Sequence, residues 1–194
     1  MEAEGYTVIR TDDLAKELME RDAALRGELI EILGPNAYSG EKLDRAFVAS
    51  MIFQDRSLLE RVDAAVHPAV TKEVEKIFEE HPTGPVAVES ALILQTNFRE
   101  HFDYIVLIEA QREASIERVV LEGRLTRGQA EARLAEQEID PHSRDEADFI
   151  IENSGSEQDP LKGLEAFQEK CRRLIAMLDA LRSIELPEQP LHAA

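Results

Sequence analysis

Met1-Glu-Ala-Glu-Gly-Tyr-Thr-Val-Ile-Arg-Thr-Asp-Asp13 carries three structural signals in succession. Met1–Gly5 reads as the last turn of a helix stopped by a glycine. Tyr6–Arg10 reads as a strand, and Thr11-Asp-Asp13 opens the next helix, with Thr11 able to cap it. A helix end implies a helix before it, and in α/β proteins that helix usually follows a strand. The chain is therefore expected to enter an α/β unit partway. A first strand, its loop and most of a helix, roughly two dozen residues by typical element lengths, would precede Met1.

The 194 residues suffice for one domain with a real core and an inserted subdomain. Apolar residues make up 43% and charged residues 32%, the balance of a globular chain. Aromatics are 5% with no Trp, so the core must be built mostly from Leu, Ile, Val and Ala. The formal net charge of −18 repels nucleic acid and anionic membranes, and neither is expected as a partner. Solubility, or life in high salt, accounts for such a charge without any ligand. Cys171 is the only cysteine, so no intrachain disulfide can form. No apolar run reaches the ~18 residues of a membrane span and the N-terminus shows no signal-peptide pattern, which makes the cytoplasm the expected compartment.

Four short apolar runs punctuate helical patterns: Tyr6–Arg10, Pro85–Glu89, Tyr104–Glu109 and Phe149–Asn153. Apolar runs without alternation suit strands buried on both faces of a parallel sheet. Between the first two runs, helices are expected from Thr11 to about Arg21, over Ala23–Leu33 with Leu25, Leu29, Ile30 and Leu33 on one face, over Leu43–Gln54 and over Ser57–Val66. Pro68 then sits where a first helical turn tolerates proline, opening a helix to about Glu80. So long a crossover is expected to form a helical subdomain, about residues 23–80. Arg112–Glu122 follows the third strand, Thr126-Arg-Gly-Gln129 matches a capping box, and Asn153-Ser-Gly155 closes the fourth strand as a turn. A long amphipathic helix, about 161–186, precedes a tail expected to be loose. The expected fold class is α/β, a parallel sheet flanked by helices within a single domain, 1–194. Ligands in such sheets bind at the carboxyl ends of the strands, here Asp12, Glu89/Ser90, Glu109 and Asn153.

Four stretches, in order, resemble the dephospho-coenzyme A kinases of the P-loop kinase group. Val8-Ile-Arg-Thr-Asp-Asp-Leu-Ala15 resembles that family's V-I-D-A-D-x-[LIV]-A, and Val66-His-Pro68 its L-H-P. Val88-Glu-Ser-Ala-Leu-Ile-Leu-Gln-Thr96 resembles V-x-x-P-L-L-F-E-S, and Ala147-Asp-Phe-Ile-Ile-Glu-Asn-Ser-Gly155 resembles A-D-x-V-I-D-N-S-G. Gln137 also falls where the family has a glutamine, and the likeness runs from about Gly5 to Ile175. The resemblance implies a three-layer P-loop kinase architecture lacking its first strand, with a lid at about 118–145. It implies transfer of the ATP γ-phosphoryl to the 3′-hydroxyl of dephospho-coenzyme A, the last step of coenzyme A biosynthesis, with Mg²⁺ accompanying ATP. Such chemistry uses a G-x-x-x-x-G-K-[ST] loop whose amides, helix N-terminus and lysine hold the phosphates. None of the 194 residues forms that motif. The nearest approach, Gly34-Pro-Asn-Ala-Tyr-Ser-Gly-Glu-Lys42, spaces its glycines one residue too far apart and lies between helices; it reads as a surface loop.

The resemblance places Asp12 as the catalytic carboxylate that accepts or orients the proton of the attacking hydroxyl. A first-turn carboxylate favoured by the helix dipole is the competing reading. Arg10 replaces the first aspartate of the family's pair. His67 falls near the acceptor substrate, against the alternative of an N-cap histidine ordering a turn. Arg118 falls on the family's E-R arginine as a substrate or phosphate contact. Against this, Arg112, Arg118, Arg124, Arg127 and Arg133 could all pair with Glu113, Glu117, Glu122 and Glu131 on solvated helices. Asn153 and Gly155 would face the adenine of ATP, or form an ordinary turn. His81, His101, His142 and His192 lack metal-ligand spacing and read as surface residues, so no protein-held metal is expected. Glu122, Ser143 (with Arg144 adjacent), Ala91 and Gln95 depart from the family pattern.

In P-loop kinases of the kind the chain resembles, the first strand lies in the middle of the sheet, so the resemblance implies that it would stand between the strands at Pro85–Glu89 and Tyr104–Glu109. Without it those two either pair directly or leave unpaired edges that weaken the fold. Three functions follow: a dephospho-coenzyme A kinase whose sequence is shortened, by a late start codon among other causes; a non-catalytic relative binding coenzyme A-like ligands or a partner protein; and an interaction module built on its helices. The oligomeric state is left open.

Overall fold

A single 3-10 turn, Glu2–Glu4, begins the chain and is closed by Gly5 at φ 85°, whose N–H donates to the Glu2 carbonyl at 3.1 Å. Only glycine takes that conformation without steric cost. The computed structural model describes residues 1–91, 93, 97–123, 125–136, 144–155 and 160–185. It divides into two compact units, Met1–Ala91 and Leu92–Ala194.

In the first unit, β1 (Thr7–Arg10) leads directly into α1 (Thr11–Arg21). Thr11 is the first helical residue and not its cap; Arg10 holds the capping position without a side-chain bond. The next three helices are each capped by an aspartate. Asp22 accepts from the Ala24 and Leu25 amides ahead of α2 (Ala23–Leu33). Past a short hairpin of β2 (Tyr38–Ser39) and β3 (Lys42–Leu43), Asp44 caps α3 (Arg45–Gln54) and Asp55 caps α4 (Arg56–Glu80). Each such cap is worth about 1 kcal/mol. The hairpin occupies most of the stretch expected as a loop, and α3 starts two residues later than the expected Leu43.

Helix α4 is one element of 25 residues, not two helices divided at Pro68. Proline removes the bond to the Ala64 carbonyl and crowds it, at a cost of about 3 kcal/mol. Leu58, Val62, Val66, Val70 and Val74 recur at every fourth position and all are buried, Val74 completely. Burying five such side chains, at about 1.5–3 kcal/mol each, outweighs the proline. Helices α1, α2 and α3 pack on α4, with Leu18, Leu25, Leu29 and Leu33 in the shared core. Arg21 binds Glu73 across α1 and α4 at 2.6 Å. The Tyr38 hydroxyl donates to the Met19 carbonyl at 2.9 Å, and burial pushes its pKa up. The chain then returns through β4 (Val86–Glu89), parallel to β1 in the register Thr7↔Val86 to Arg10↔Glu89.

In the second unit, β5 (Val106–Glu109) pairs in parallel with β6 (Phe149–Glu152), Val106 opposite Phe149 and Glu109 opposite Glu152. Asp148 locks the amino end of this pair. Its carboxylate accepts from the Ile105 amide at 2.6 Å and from Arg99 at 3.1 Å, while the Asp148 amide donates to the Ile105 carbonyl at 3.0 Å. Helices α5 (Arg112–Leu121) and α6 (Arg127–Glu136) lie between the strands in sequence, and α7 (Pro160–Glu185) follows them and packs on β6. Thr126 and Gln129 make the expected capping box, at 2.9 and 3.4 Å.

The described parallel strands thus form two pairs, and strand pairing stops at β4 in one unit and at β5 in the other. Burial on both faces is also incomplete. Ile108 and Ile150 are 55% and 40% exposed, because a pair of strands with α7 against β6 does not cover both of its surfaces.

Three outcomes test this packing. Pro68→Ala should stabilise the chain by about 1–3 kcal/mol in urea unfolding, since the helix already runs through the site; a neutral result would mean α4 is already relaxed around the proline. Asp148→Ala should destabilise by about 1–3 kcal/mol and speed exchange of the Ile105 amide, because that buried donor loses its acceptor. Hydrogen bonding from Arg21 holds the Glu73 carboxyl below its ordinary value of 4.5. Its stabilisation is therefore complete above that value and lost as pH falls through the folded-state pKa. The stability gap between the parent and Glu73→Gln should be constant near neutrality and close below about pH 4.5.

Candidate functional site

Connectivity fixes where the first unit's candidate residues stand. Helix α1 leaves the carboxyl end of β1, and α4 ends a few residues before the amino end of the parallel strand β4. Both helices therefore run from the carboxyl-end level of the strands toward the amino-end level. The Arg21–Glu73 pair sets their register. Counting nine residues back from each partner reaches Asp12 on α1 and Ala64 on α4, equal distances at 1.5 Å per residue. Asp63 and His67 lie on either side of Ala64 on α4, one turn apart.

Asp12 is exposed in the first turn of α1 beside Asp13. Lys16 takes Asp13 at 2.7 Å and lowers its pKa, whereas Asp12 has no hydrogen bond or ion pair among the described residues. Asp12 is thus the carboxylate left available. Arg10 turns to Glu2 at 3.0 Å, so the cation in the family's aspartate position already has a counter-ion. His67 is half-buried in mid-helix, which removes the N-cap reading. Asp63, one turn earlier and also half-buried, has its carboxyl pushed up by burial, an effect His67 opposes.

In the second unit the structure joins two of the expected residues directly. The Arg118 guanidinium donates to the Asn153 carbonyl at 2.7 Å, and the Asn153 amide donates to the Glu109 carbonyl at 2.6 Å. The Gln111 amide donates to the Ser154 hydroxyl at 3.0 Å, and that hydroxyl donates to the Glu152 carboxylate at 2.9 Å. Gly155 turns the chain away at φ 75°, a left-handed conformation that favours glycine. Strand ends, Arg118 and the Asn153-Ser-Gly155 turn therefore form one bonded cluster. Arg127 instead binds Glu113 at 2.6 Å and Glu131 at 3.1 Å, the paired-surface arrangement. Arg144 binds Glu109 through two nitrogens, at 2.7 and 3.3 Å. Arg124, Gln95, Gln137, His142, Ser143 and His192 lie outside the described residues.

A cavity of about 200 Å³ adjoins this cluster, lined by Asn153, Ser154 and Gly155 and by Gly163, Phe167 and Lys170 of α7. The Lys170 amine donates to the Glu152 carbonyl at 3.0 Å. The motif reading missed this second wall. Its signal is the recurrence of Gly163, Phe167, Lys170 and the buried Leu174 along one face of α7. Among the described residues no three His, Cys, Asp or Glu side chains converge to hold a metal, and no helix is long and apolar enough to cross a membrane.

Comparison with known proteins identifies a family for the chain. The family model for dephospho-CoA kinase matches residues 1–159. Dephospho-CoA kinase of Thermobifida fusca is 29% identical over 175 residues, 89% of this chain and 88% of the relative. That of Frankia casuarinae is 31% identical over 182 residues, 92% of this chain and 77% of the relative. The crystal structure of TT1252 from Thermus thermophilus superposes with a TM-score of 0.70 at 26% identity, covering 91% of this chain and 87% of the other. Dephospho-CoA kinase from Campylobacter jejuni shares the fold with a TM-score of 0.55 at 19% identity, over 87% and 86% of the two chains. With a family match over most of its length, the chain belongs to the dephospho-CoA kinase family.

Proposed function

We propose that the two units carry the two binding tasks of the family's reaction, phosphoryl transfer from ATP to the 3′-hydroxyl of dephospho-coenzyme A. The first unit takes the acceptor. Asp12, free of any partner among the described residues, receives or orients the hydroxyl proton, and His67 contacts the acceptor. The helical segment 23–80 is the substrate subdomain and 118–145 the lid. The second unit takes the nucleotide at Arg118, Asn153 and Gly155. The bond from Arg118 to the Asn153 carbonyl carries this reading, because it gathers a motif arginine and a motif turn at one strand end. Mg²⁺ arrives with ATP. Such an ion is held largely by phosphates and water with one or two carboxylates, so it needs no cage of protein ligands. The expected setting is the cytoplasm.

The family's phosphate cradle is the part that these 194 residues do not spell. Losing a single preorganised donor typically costs about 10²–10³ in rate. The test is ATP-dependent phosphorylation of dephospho-coenzyme A by the chain, beside a version preceded by a strand, G-x-x-x-x-G-K-S and a helix. The extended version should be faster by at least on the order of 10²-fold. In calorimetry His67→Ala should weaken dephospho-coenzyme A alone and Arg118→Ala should weaken ATP alone. Equal rates in the two versions would refute the cradle argument. Binding of both ligands with no transfer in either version would establish the non-catalytic relative instead.

A further inference from the structure

Arg10 stands where the family pattern has an aspartate, and the structure shows where that cation goes. Its guanidinium binds the Glu2 carboxylate at 3.0 Å, eight residues back in the chain. We propose that Glu2 is a positioning residue for the reaction: by holding Arg10 it keeps the Asp12 carboxylate unpaired and open to the attacking hydroxyl. The proposal rests on the reading of Asp12 given above and adds to it the residue that keeps Asp12 free.

Arg10 is the last residue of β1 and holds the N-cap position of α1 without a side-chain cap bond. Asp12 follows two residues on, at most about 7 Å away between Cα atoms, a span that an arginine side chain covers. A cation at that point is unfavourable beside the positive end of the helix, so a first-turn carboxylate is its ready partner. Three cations act on this turn. The Asp13 carboxyl is held below its ordinary value by Lys16 first, and by Arg10 and Arg45 among lesser influences. Lys16 is bonded to Asp13 at 2.7 Å, and Arg45 faces Glu20 at 3.6 Å. Arg10 is therefore the cation whose direction decides whether Asp12 stays available. Glu2 belongs to the turn that enters β1, whereas Asp12 belongs to the helix that leaves it. That turn is fixed by its own bonds: the Glu4 and Tyr6 amides donate to the Met1 carbonyl at 2.9 and 3.2 Å, and Gly5 closes it. The guanidinium thus lies with the segment entering the strand. Among the described residues Arg10 forms its ion pair with Glu2 and not with Glu89, which stands opposite it on β4. Both side chains of the pair are exposed, 52% and 62%, and such pairs contribute little stability. What the pair sets is the direction of a charge.

The side-chain carboxyl carbon of Asp12 reports its pairing by NMR on the 194-residue chain itself, and kcat is read on the extended version described above. Glu2→Gln should move the Asp12 signal and bring the Arg10 guanidinium within Overhauser range of Asp12. In the extended version kcat should fall on the order of tenfold, with KM for ATP unchanged. Added salt should narrow that loss, because exposed pairs are screened. Adding Arg10→Gln to Glu2→Gln should return both readings to those of the parent, a rescue that a merely structural Glu2 would not allow. Glu4→Gln, in the same turn, should match the parent in both. An Asp12 signal unmoved by Glu2→Gln, as when Arg10 passes to Glu89, would overturn the proposal; a slow Asp12→Asn would then leave the Asp12 reading standing. A loss in Glu2→Gln that Arg10→Gln does not restore would overturn it as well. Asp12→Asn at the parent rate would remove the Asp12 reading and this proposal together. If neither version transfers phosphate, the NMR signals decide alone.

Discussion

The bond from the Asn153 amide to the Glu109 carbonyl, at 2.6 Å, is where the second unit's architecture becomes a site. It continues the β5–β6 ladder one step past the last paired residues and so fixes where the strands stop. Once Asn153 is held there, its carbonyl faces Arg118 and Ser154 meets the Gln111 amide. Gly155 must then turn the chain toward α7. At the other end of the strands Asp148 closes the ladder with a charged acceptor on the Ile105 amide. A carboxylate is suited to that place, since it satisfies a main-chain donor and Arg99 at once. One residue in this motif thus holds the amino end of the strand pair, and another holds its carboxyl end. The sequence stretch looks uniform because both ends of a short strand fall within it.

The first unit solves the same problem with helices. Its two strands could not order a substrate site alone, because a two-stranded sheet is marginal without packing. The leucine and valine stripe of α4 supplies that packing and carries the helix through Pro68. Continuity also fixes where side chains stand on α4. A helix broken at Pro68 would leave Asp63 and His67 on separate elements, free to move apart. The unbroken helix keeps them one turn apart.

Much of this was legible in the chain. All four apolar runs became parallel strands, and the leucines expected on one face of α2 are buried or half-buried there. What escaped was decided by contacts distant in sequence. Pro68 was read by local propensity as a helix start, and the buried stripe overrode it. Asp22, Asp44 and Asp55 are aspartates at helix starts and could have been read as caps, which would have moved α3 past Leu43. The apolar runs implied two covered faces, yet Ile108 and Ile150 show that a run records what a strand can bury, not how many neighbours it has. At the candidate site, Asp12, His67, Arg118, Asn153 and Gly155 are the residues that the motifs single out. Phe167 and Lys170 were not, because α7 meets β6 only in three dimensions and carries no motif there.

The acidity of the chain bears on how it could hold a triphosphate. Several guanidiniums are already matched to carboxylates: Arg10 with Glu2, Arg127 with Glu113, Arg144 with Glu109, and Arg172 and Arg173 with Glu169. A phosphate recruiting any of these must displace a carboxylate and leave it beside new negative charge, so the net gain is small. Arg118 is different, since its partner is a neutral carbonyl that keeps no charge when the guanidinium is shared. Backbone amides and a helix N-terminus differ in the same way: they are fixed dipoles that bring no anion of their own to be displaced. In a chain of net charge −18, anchoring β- and γ-phosphates on amides is therefore the physically cheaper route. The more acidic the surface, the less its arginines can stand in for a glycine-rich loop, and the more the reaction depends on one.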